Sequence, residues 1–298
     1  MKYLDRENAD KIDFIREILS QSGFLKIKNI ARLQSGSRSA AYYADDYVIR
    51  FPKSEIIWRT MKREKNIIDM IYPYLVPALV NKIHKIDLIE SEYPFSVSNR
   101  INGKICDGRP KSEYAARYQD LTLIQQENLA RDLAVFFNQM HQIDYKKLDI
   151  PEPTETIDLW DVTLKNNFDF KKVRETLLSY KIDLNDYEIQ SKNTVISLCH
   201  NDLSGSNILL NPEKENILSG IIDFGNTIVM PKYQDFFPLY KINRKLASDT
   251  LSEYNKITAS PIEQKQIDFL ALSYIGFGLL QNKEVLSPYF MKLLKPFL

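Results

Sequence analysis

Two stretches decide how this chain reads: LCHNDLSGSNILL, Leu198–Leu210, and SGIIDFGN, Ser219–Asn226. Together they hold H-x-D-x-x-x-x-N, as His200, Asp202 and Asn207, and then Asp223-Phe224-Gly225, which begins sixteen residues after Asn207. An apolar run enters a polar loop, a short hairpin follows, and a second apolar run ends at Asp223. One carboxylate on a loop can orient or deprotonate an attacking hydroxyl. An amide oxygen with a second carboxylate can hold Mg²⁺ against nucleotide phosphates. Asp202 takes the first role on this reading, and Asn207 with Asp223 the second. Each piece alone is weak; their shared order, spacing and context carry the reading. Turn residues at hairpin ends would not require two carboxylates and an amide.

Upstream, the first hundred residues read as short strands around one helix. FLKIKNIARL (24–33), AAYYA (40–44), YVIRFP (47–52), IHKIDLIE (83–90) and YPFSVS (93–98) are rich in β-branched and aromatic residues, with Asp45-Asp46 as a tight turn. Between them EIIWRTMKREKNIIDMI (55–71) has helical periodicity. Met61, Ile68 and Ile71 share a face with Glu64, and a carboxylate on a buried face needs a cation or hydrogen-bond donors. Beyond residue 100 the pattern turns helical, and LIQQENLARDLAVFFNQMHQI (123–143) aligns Leu129, Leu133, Phe136, Phe137 and Met140 in one stripe. The fold expected is α+β and two-lobed: a small antiparallel-sheet lobe with one main helix over residues 1–98, and a large helical lobe over 99–298.

Bulk properties narrow the function classes. The 298 residues are 44% apolar and 27% charged, with a formal net charge of +1, which gives no support to a nucleic-acid partner. The first residues, MKYLDRENADKIDFIREIL, lack the continuous apolar core of a secretory signal. FLALSYIGFGLL (269–280) is too short to span a bilayer and reads as a buried helix. Cys106 and Cys199 have no metal-ligand or redox spacing, so a reducing cytoplasm is expected. No heptad or exposed strand calls for a dimer, and a monomer is expected.

His-Asn-Asp-x-x-x-x-Asn followed by Ile-Ile-Asp-Phe-Gly resembles the aminoglycoside phosphotransferase family, the antibiotic kinases related to choline and protein kinases. Protein kinases proper usually carry Arg where this chain has Asn201. LAVFFNQMHQID resembles the family's large-lobe helix and YPFSVSNRINGK its hinge, so the likeness runs from about residue 30 to 240. V-I-R-F-P-K and C-H-N-D-L-S give a particular likeness to the 2″-aminoglycoside kinases. The resemblance implies a protein-kinase-like fold, ATP or GTP as phosphate donor, Mg²⁺, and a small-molecule hydroxyl acceptor.

It also places roles on residues. Ser35, Gly36 and Ser37 would lie over the phosphates, where small residues let backbone N–H groups approach an anion. Arg50 stands where the family has a phosphate-contacting lysine. Strand alternation sets it with Val48 on one face, opposite Tyr47, Ile49 and Phe51, from which it could pair with Glu64. Lys53 is the competitor, past Pro52. Ser98 belongs to the hinge that contacts the nucleotide base. His200 would brace the loop rather than react, Asp235 in MPKYQDFFPL would support it, and His84 and His141 have no partner legible in sequence. The acids of Leu148–Asp161 (Asp149, Glu152, Glu155, Asp158, Asp161) form either an amine-attracting patch or a solvated loop, and Trp160 either stacks on a sugar or fills core. Three readings stay open: an aminoglycoside kinase, a kinase of choline, a sugar, an amino-acid alcohol or a macrolide, and a nucleotide-binding scaffold without catalysis.

Overall fold

A computed structural model describes residues 1–33, 39–106, 115–147, 170–187, 195–281 and 287–298. The chain divides into two compact units: Met1–Gly103 with Ser219–Asn226, and Lys104–Leu218 with Thr227–Leu298. The architecture is α+β, an antiparallel-sheet unit and a mainly helical one.

In the first unit, helix α1 (Ile12–Gln21) precedes strands β1 (Ile30–Arg32), β2 (Ser39–Ala44) and β3 (Tyr47–Pro52). Helix α2 (Glu55–Ile71) and strands β4 (Ile86–Ile89) and β5 (Phe95–Asn99) follow, in the sheet order β1-β2-β3-β5-β4. The period-2 alternation of β3 sorts its side chains. Ile49 and Phe51 turn into a core with Ile15, Ile18, Leu19, Tyr42, Phe95 and Val97. Arg50 points from the other face, toward α2. Ser54 caps α2 by accepting from the Ile57 N–H, and Trp58, Met61, Ile67, Ile68 and Ile71 bury its inner face.

The first expected strand is cut short. The ladder runs over Ile30–Arg32, flanked by the Asn29 carbonyl bonded to the Asp45 N–H and the Leu33 N–H bonded to the Ala41 carbonyl, and side chains satisfy the backbone before it. Asp45 accepts the N–H groups of Lys28 and Asn29 at 2.8 and 3.0 Å, and the Arg16 guanidinium donates to the carbonyls of Ile27 and Lys28. Asp45 adopts φ +49°, as a tight β2–β3 turn requires. The strand expected from Ile83 begins at Ile86. Before it, Ile83 bridges Ile221, and Lys82 accepts the Ile221 N–H at 2.8 Å.

The second unit begins with strands β6 (Lys104–Cys106) and β7 (Ala115–Ala116) and helices α3 (Leu123–Gln142) and α4 (Phe170–Ser179). Strands β8 (Ile196–Cys199) and β9 (Ile208–Leu210) follow, β10 (Leu218–Ile221) carries the chain into the first unit, and β11 (Ile228–Pro231) returns it to pair antiparallel with β8. Helices α5 (Phe236–Ile242), α6 (Arg244–Ile257), α7 (Gln264–Gln281) and α8 (Ser287–Leu294) complete it. The α3 stripe is buried as its spacing demands, with Leu129, Leu133, Phe136, Phe137 and Met140 all inaccessible. A Thr122–Gln125 capping box starts that helix, and the Gln125 amide also donates to the carbonyls of Pro212 and Lys214 in the β9–β10 turn.

Helix α7 is the apolar run expected to be a buried helix. Its Gly276 is a point of close approach: a Cβ there would lie 2.8 Å from Val173 and 3.1 Å from Leu177 on α4. Both neighbours are fully buried and have nowhere to move. Helix propensity alone favours alanine over glycine by about 1 kcal/mol. Overpacking acts the other way and is the larger effect. Gly276→Ala is expected to lower unfolding stability by about 1–2 kcal/mol in denaturant titration, and a gain in stability would show that α4 and α7 do not pack this closely.

Candidate active site

Strand β8 delivers the chain to His200, Asn201 and Asp202, and one buried carboxylate fixes the loop they form. Asp235, fully inaccessible, accepts the His200 N–H at 3.1 Å and the Asn201 N–H at 2.7 Å. Its Oδ2 also lies 3.1 Å from Nε2 of His141, whose Nδ1 lies 2.9 Å from the Tyr254 hydroxyl. With the Nε2–H donated to the carboxylate, Nδ1 accepts from Tyr254. His141 was expected to have no partner; it is a buried link between the Asp235 carboxylate and α6. The signal was present, since His141 continues the Leu133–Phe137 line of α3 by one more turn, and a polar group there needs partners when buried.

The loop is also tied internally. The Asp202 N–H donates to His200 Nδ1 at 3.3 Å, and the inaccessible His200 ring packs edge-on against Phe136. His200 is thus placed to brace. The Asp202 carbonyl accepts from the Asn207 amide nitrogen at 2.7 Å and from the Ser204 N–H at 2.8 Å. Asn201 takes φ +63°, a left-handed conformation that Asn tolerates better than most residues. Asp202 itself is half-buried at the tip of the loop.

The first unit holds the other group of expected site residues. Arg50 Nη2 donates to Glu64 Oε2 at 2.5 Å, while Arg50 Nε donates to Ser96 Oγ at 3.3 Å. His84 Nε2 lies 3.3 Å from the second Glu64 oxygen, and its ring is 6.2 Å from that of Phe224. His84 was also expected to have no partner. Its place two residues before Ile86 on the buried side of the β4 approach accounts for the contact. Burial pushes the Glu64 carboxyl up, but the Arg50 guanidinium and then the His84 imidazole outweigh it, holding the group at about 2. Gly225 sits against α2, where a Cβ would lie 3.4 Å from Thr60 Cγ2. Asp223 has φ +67°, a second left-handed residue among the expected site positions. Ser98 lies half-buried on β5, opposite Val48 and Ile86. Lys53 is exposed, one residue past β3. Ser35, Gly36 and Ser37, and the acidic segment Leu148–Asp161 with Trp160, lie outside the described residues.

Residues 29–260 match the model of the phosphotransferase enzyme family, well over half of the chain. The chain belongs to this family. It is therefore a small-molecule kinase by family, and solved structures share its fold. The phosphotransferase is similar to the GDP and kanamycin complex of APH(2″)-IIIa, at 20% identity and TM-score 0.69, covering 96% of this chain and 98% of that one. It is similar to APH(2″)-Ib in its ADP-bound form, at 21% identity and TM-score 0.62, covering 98% and 97%. Macrolide 2′-phosphotransferase MphH from Brachybacterium faecium gives 13% identity and TM-score 0.63, covering 94% and 96%.

His141, Cys199 and Asp235 of the phosphotransferase also stand close enough to share a metal ion. Their chemistry argues against it. Burial, with Asp235 beside it, pushes the Cys199 thiol up and keeps it protonated, and Asp235 already accepts two backbone N–H groups and faces His141.

The Glu64 shift carries a sign. A carboxyl held near 2 when folded, against 4.5 ordinarily, stabilises the fold above pH 4.5, and that contribution is lost as pH falls from 4.5 toward 2. Glu64→Gln is expected to be about 3 kcal/mol less stable at neutral pH, because the Arg50 charge loses its partner. It should also lose less stability than the parent across that acid window. Urea unfolding at a series of pH values measures both, and parallel pH profiles would contradict the pairing.

Proposed function

We propose that this phosphotransferase moves the terminal phosphoryl group of ATP or GTP to a hydroxyl of a small molecule, with Asp202 facing that hydroxyl. The observation that carries the reading is the anchorage of residues 200–202. Two backbone N–H groups held by buried Asp235, the His200 brace and the Asn207 amide leave little freedom in the loop. A carboxylate presented on a fixed loop suits a reaction in which positioning and electrostatics supply most of the rate. Asp202 orients the acceptor hydroxyl and takes its proton as the oxygen attacks the phosphorus.

Mg²⁺ fits the donor set. The Asn207 amide nitrogen donates to the Asp202 carbonyl and its oxygen lies 3.4 Å from the Ser206 hydroxyl, so that oxygen is the ligand atom it would offer, and Asp223 would add a carboxylate; both are the hard oxygen donors that this ion takes. Bound Mg²⁺ would neutralise the nucleotide phosphates. Arg50, held by Glu64, is the phosphate-gripping cation of this reading, and a guanidinium suits bidentate contact. Ser35, Gly36 and Ser37 would approach the phosphates with backbone N–H groups, and Ser98 would lie at the base. The Arg50–Glu64 pair supports a held cation at this position and so speaks for catalysis over the scaffold reading that the arginine replacement favoured.

Similar structures are complexes with GDP, ADP or ATP, and some hold kanamycin, gentamicin or streptomycin. Those likenesses support a nucleotide donor and make aminoglycosides the first acceptors to screen, with macrolides next. Among the described residues no helix is long and apolar enough to cross a membrane. A cytoplasmic monomer completes the proposal.

Asp202→Ala is expected to lower kcat by about 10²–10⁴-fold while nucleotide affinity changes by less than about threefold. Acceptor-dependent phosphate transfer and a calorimetric nucleotide titration read the two quantities. An unchanged kcat would remove Asp202 from the chemistry.

A further inference from the structure

The turn that carries Asp235 begins with a buried cation. Lys232 opens the 3₁₀ turn Lys232–Asp235 that joins β11 to α5, and it is only 4% exposed. Its ammonium donates to the carbonyl of Ser260 and, at 2.6 Å, to the hydroxyl of the same residue. It also lies 5.5 Å from the ring centroid of Tyr254. Among the described residues Lys232 makes no ion pair with a carboxylate, whereas Lys245 and Lys256 on α6 each have one at 2.5 Å. A buried ammonium without a carboxylate costs stability, and an apolar side chain would fill the same space without that cost. Departures of this kind concentrate where function needs them.

Two routes lead from this ammonium to the loop of Asp202, both within one unit. The first is the turn itself. Lys232 fixes one end against Ser260, and Asp235 at the other end accepts the His200 and Asn201 N–H groups. Ser260 is a firm anchor: its N–H donates to Thr258 Oγ1 at 3.3 Å, and nearby Asn255 exchanges two hydrogen bonds with Ile262, at 2.8 and 2.9 Å. The second route runs through Tyr254. Its ring takes the ammonium, its hydroxyl lies 2.9 Å from His141 Nδ1, and His141 Nε2 meets Asp235. Both routes end on the one carboxylate that holds the loop.

We propose that Lys232 is a positioning residue for phosphoryl transfer, its ammonium holding the turn and the Tyr254 ring so that Asp235 keeps the His200–Asp202 loop in place. The assignment rests on the reading that Asp202 serves the transfer, and Lys232 acts on it only through Asp235.

The hold depends on charge. Burial pushes the Lys232 ammonium down from 10.5 to about 8. The titratable groups that face it are Cys199 from β8, Tyr254 from α6 and, through Tyr254, His141 from α3, with Asp235 on its own turn. Burial pushes Cys199 up, and Tyr254 up to about 12, so both keep their protons where Lys232 loses its own. The neutral amine gives up the cation–π attraction and the charge-assisted bonds to Ser260. The hold is therefore complete well below pH 8 and is lost above it.

Hydrogen-exchange mass spectrometry of the full chain reads the loop through the segment that holds the His200 and Asn201 N–H groups. In parallel, kcat for transfer from ATP with Mg²⁺ to saturating kanamycin is followed from about pH 6.5 to about pH 9.5. Lys232→Met deletes the charge, and Ser260→Ala removes one acceptor of the ammonium while leaving the carbonyl. Lys232→Met is expected to exchange this segment about 10-fold faster and to lower kcat about 10-fold, with nucleotide affinity changed by less than about threefold. Wild-type kcat should fall above about pH 8; that limb should move to lower pH in Ser260→Ala and be absent in Lys232→Met. A side chain that only filled space would not move the limb. Unchanged exchange in Lys232→Met overturns the assignment and leaves phosphoryl transfer standing. Faster exchange with unchanged kcat also overturns it, because the reaction would not need this hold. Where Lys232→Met loses protection along the whole chain, Ser260→Ala decides, and an unmoved limb overturns the assignment. A wild type that binds nucleotide yet phosphorylates neither kanamycin nor any other acceptor, with the exchange difference intact, overturns the phosphotransfer reading and leaves the hold of Lys232 on the loop standing.

Discussion

The buried carboxylate of Asp235 is the constraint on which the His200–Asp202 loop depends. It is inaccessible to water, so its charge must be met by fixed donors, and the N–H groups of His200 and Asn201 meet it with His141 alongside. Those two N–H groups belong to the residues just before Asp202. Satisfying the carboxylate and positioning the loop are therefore one event. The left-handed backbone at Asn201 is a local cost of that arrangement, held in place by bonds on either side.

The first unit solves a similar problem with opposite chemistry. Glu64 is buried on α2, and its desolvation is offset by Arg50 and His84. Such a group adds little net stability relative to an apolar core, but it specifies one arrangement of β3 against α2, since losing either partner leaves a buried charge. Arg50 in place of lysine fits this use. Its planar group reaches Glu64 with one nitrogen and Ser96 with another, which a lysine ammonium could not do with the same geometry.

Much of this was legible in the sequence where side-chain period and burial coincide. The bounds of β3 and α2, the stripe on α3, and the Arg50–Glu64 pair all follow from alternation or helical spacing that placed a given residue on a given face. The reading failed where side chains replaced ladder hydrogen bonds. Asp45 and Arg16 hold residues 27–29 outside the sheet, and no periodicity encodes a bond between residues so far apart in the chain. His84 and His141 were missed for a related reason, because their partners, Glu64 and Asp235, lie 20 and 94 residues away.

Family membership fixes the class of reaction, and two clusters carry the proposal for how this chain performs it: Asp202 on an anchored loop of one unit, and the Arg50–Glu64 pair of the other. Phosphorus NMR of the full chain with ATP or GTP, Mg²⁺ and a panel of hydroxylated acceptors tests that account most directly. It predicts a new phosphomonoester resonance that grows with the nucleoside diphosphate and depends on the acceptor. Inorganic phosphate as the sole product, or unchanged nucleotide across the whole panel, would contradict it.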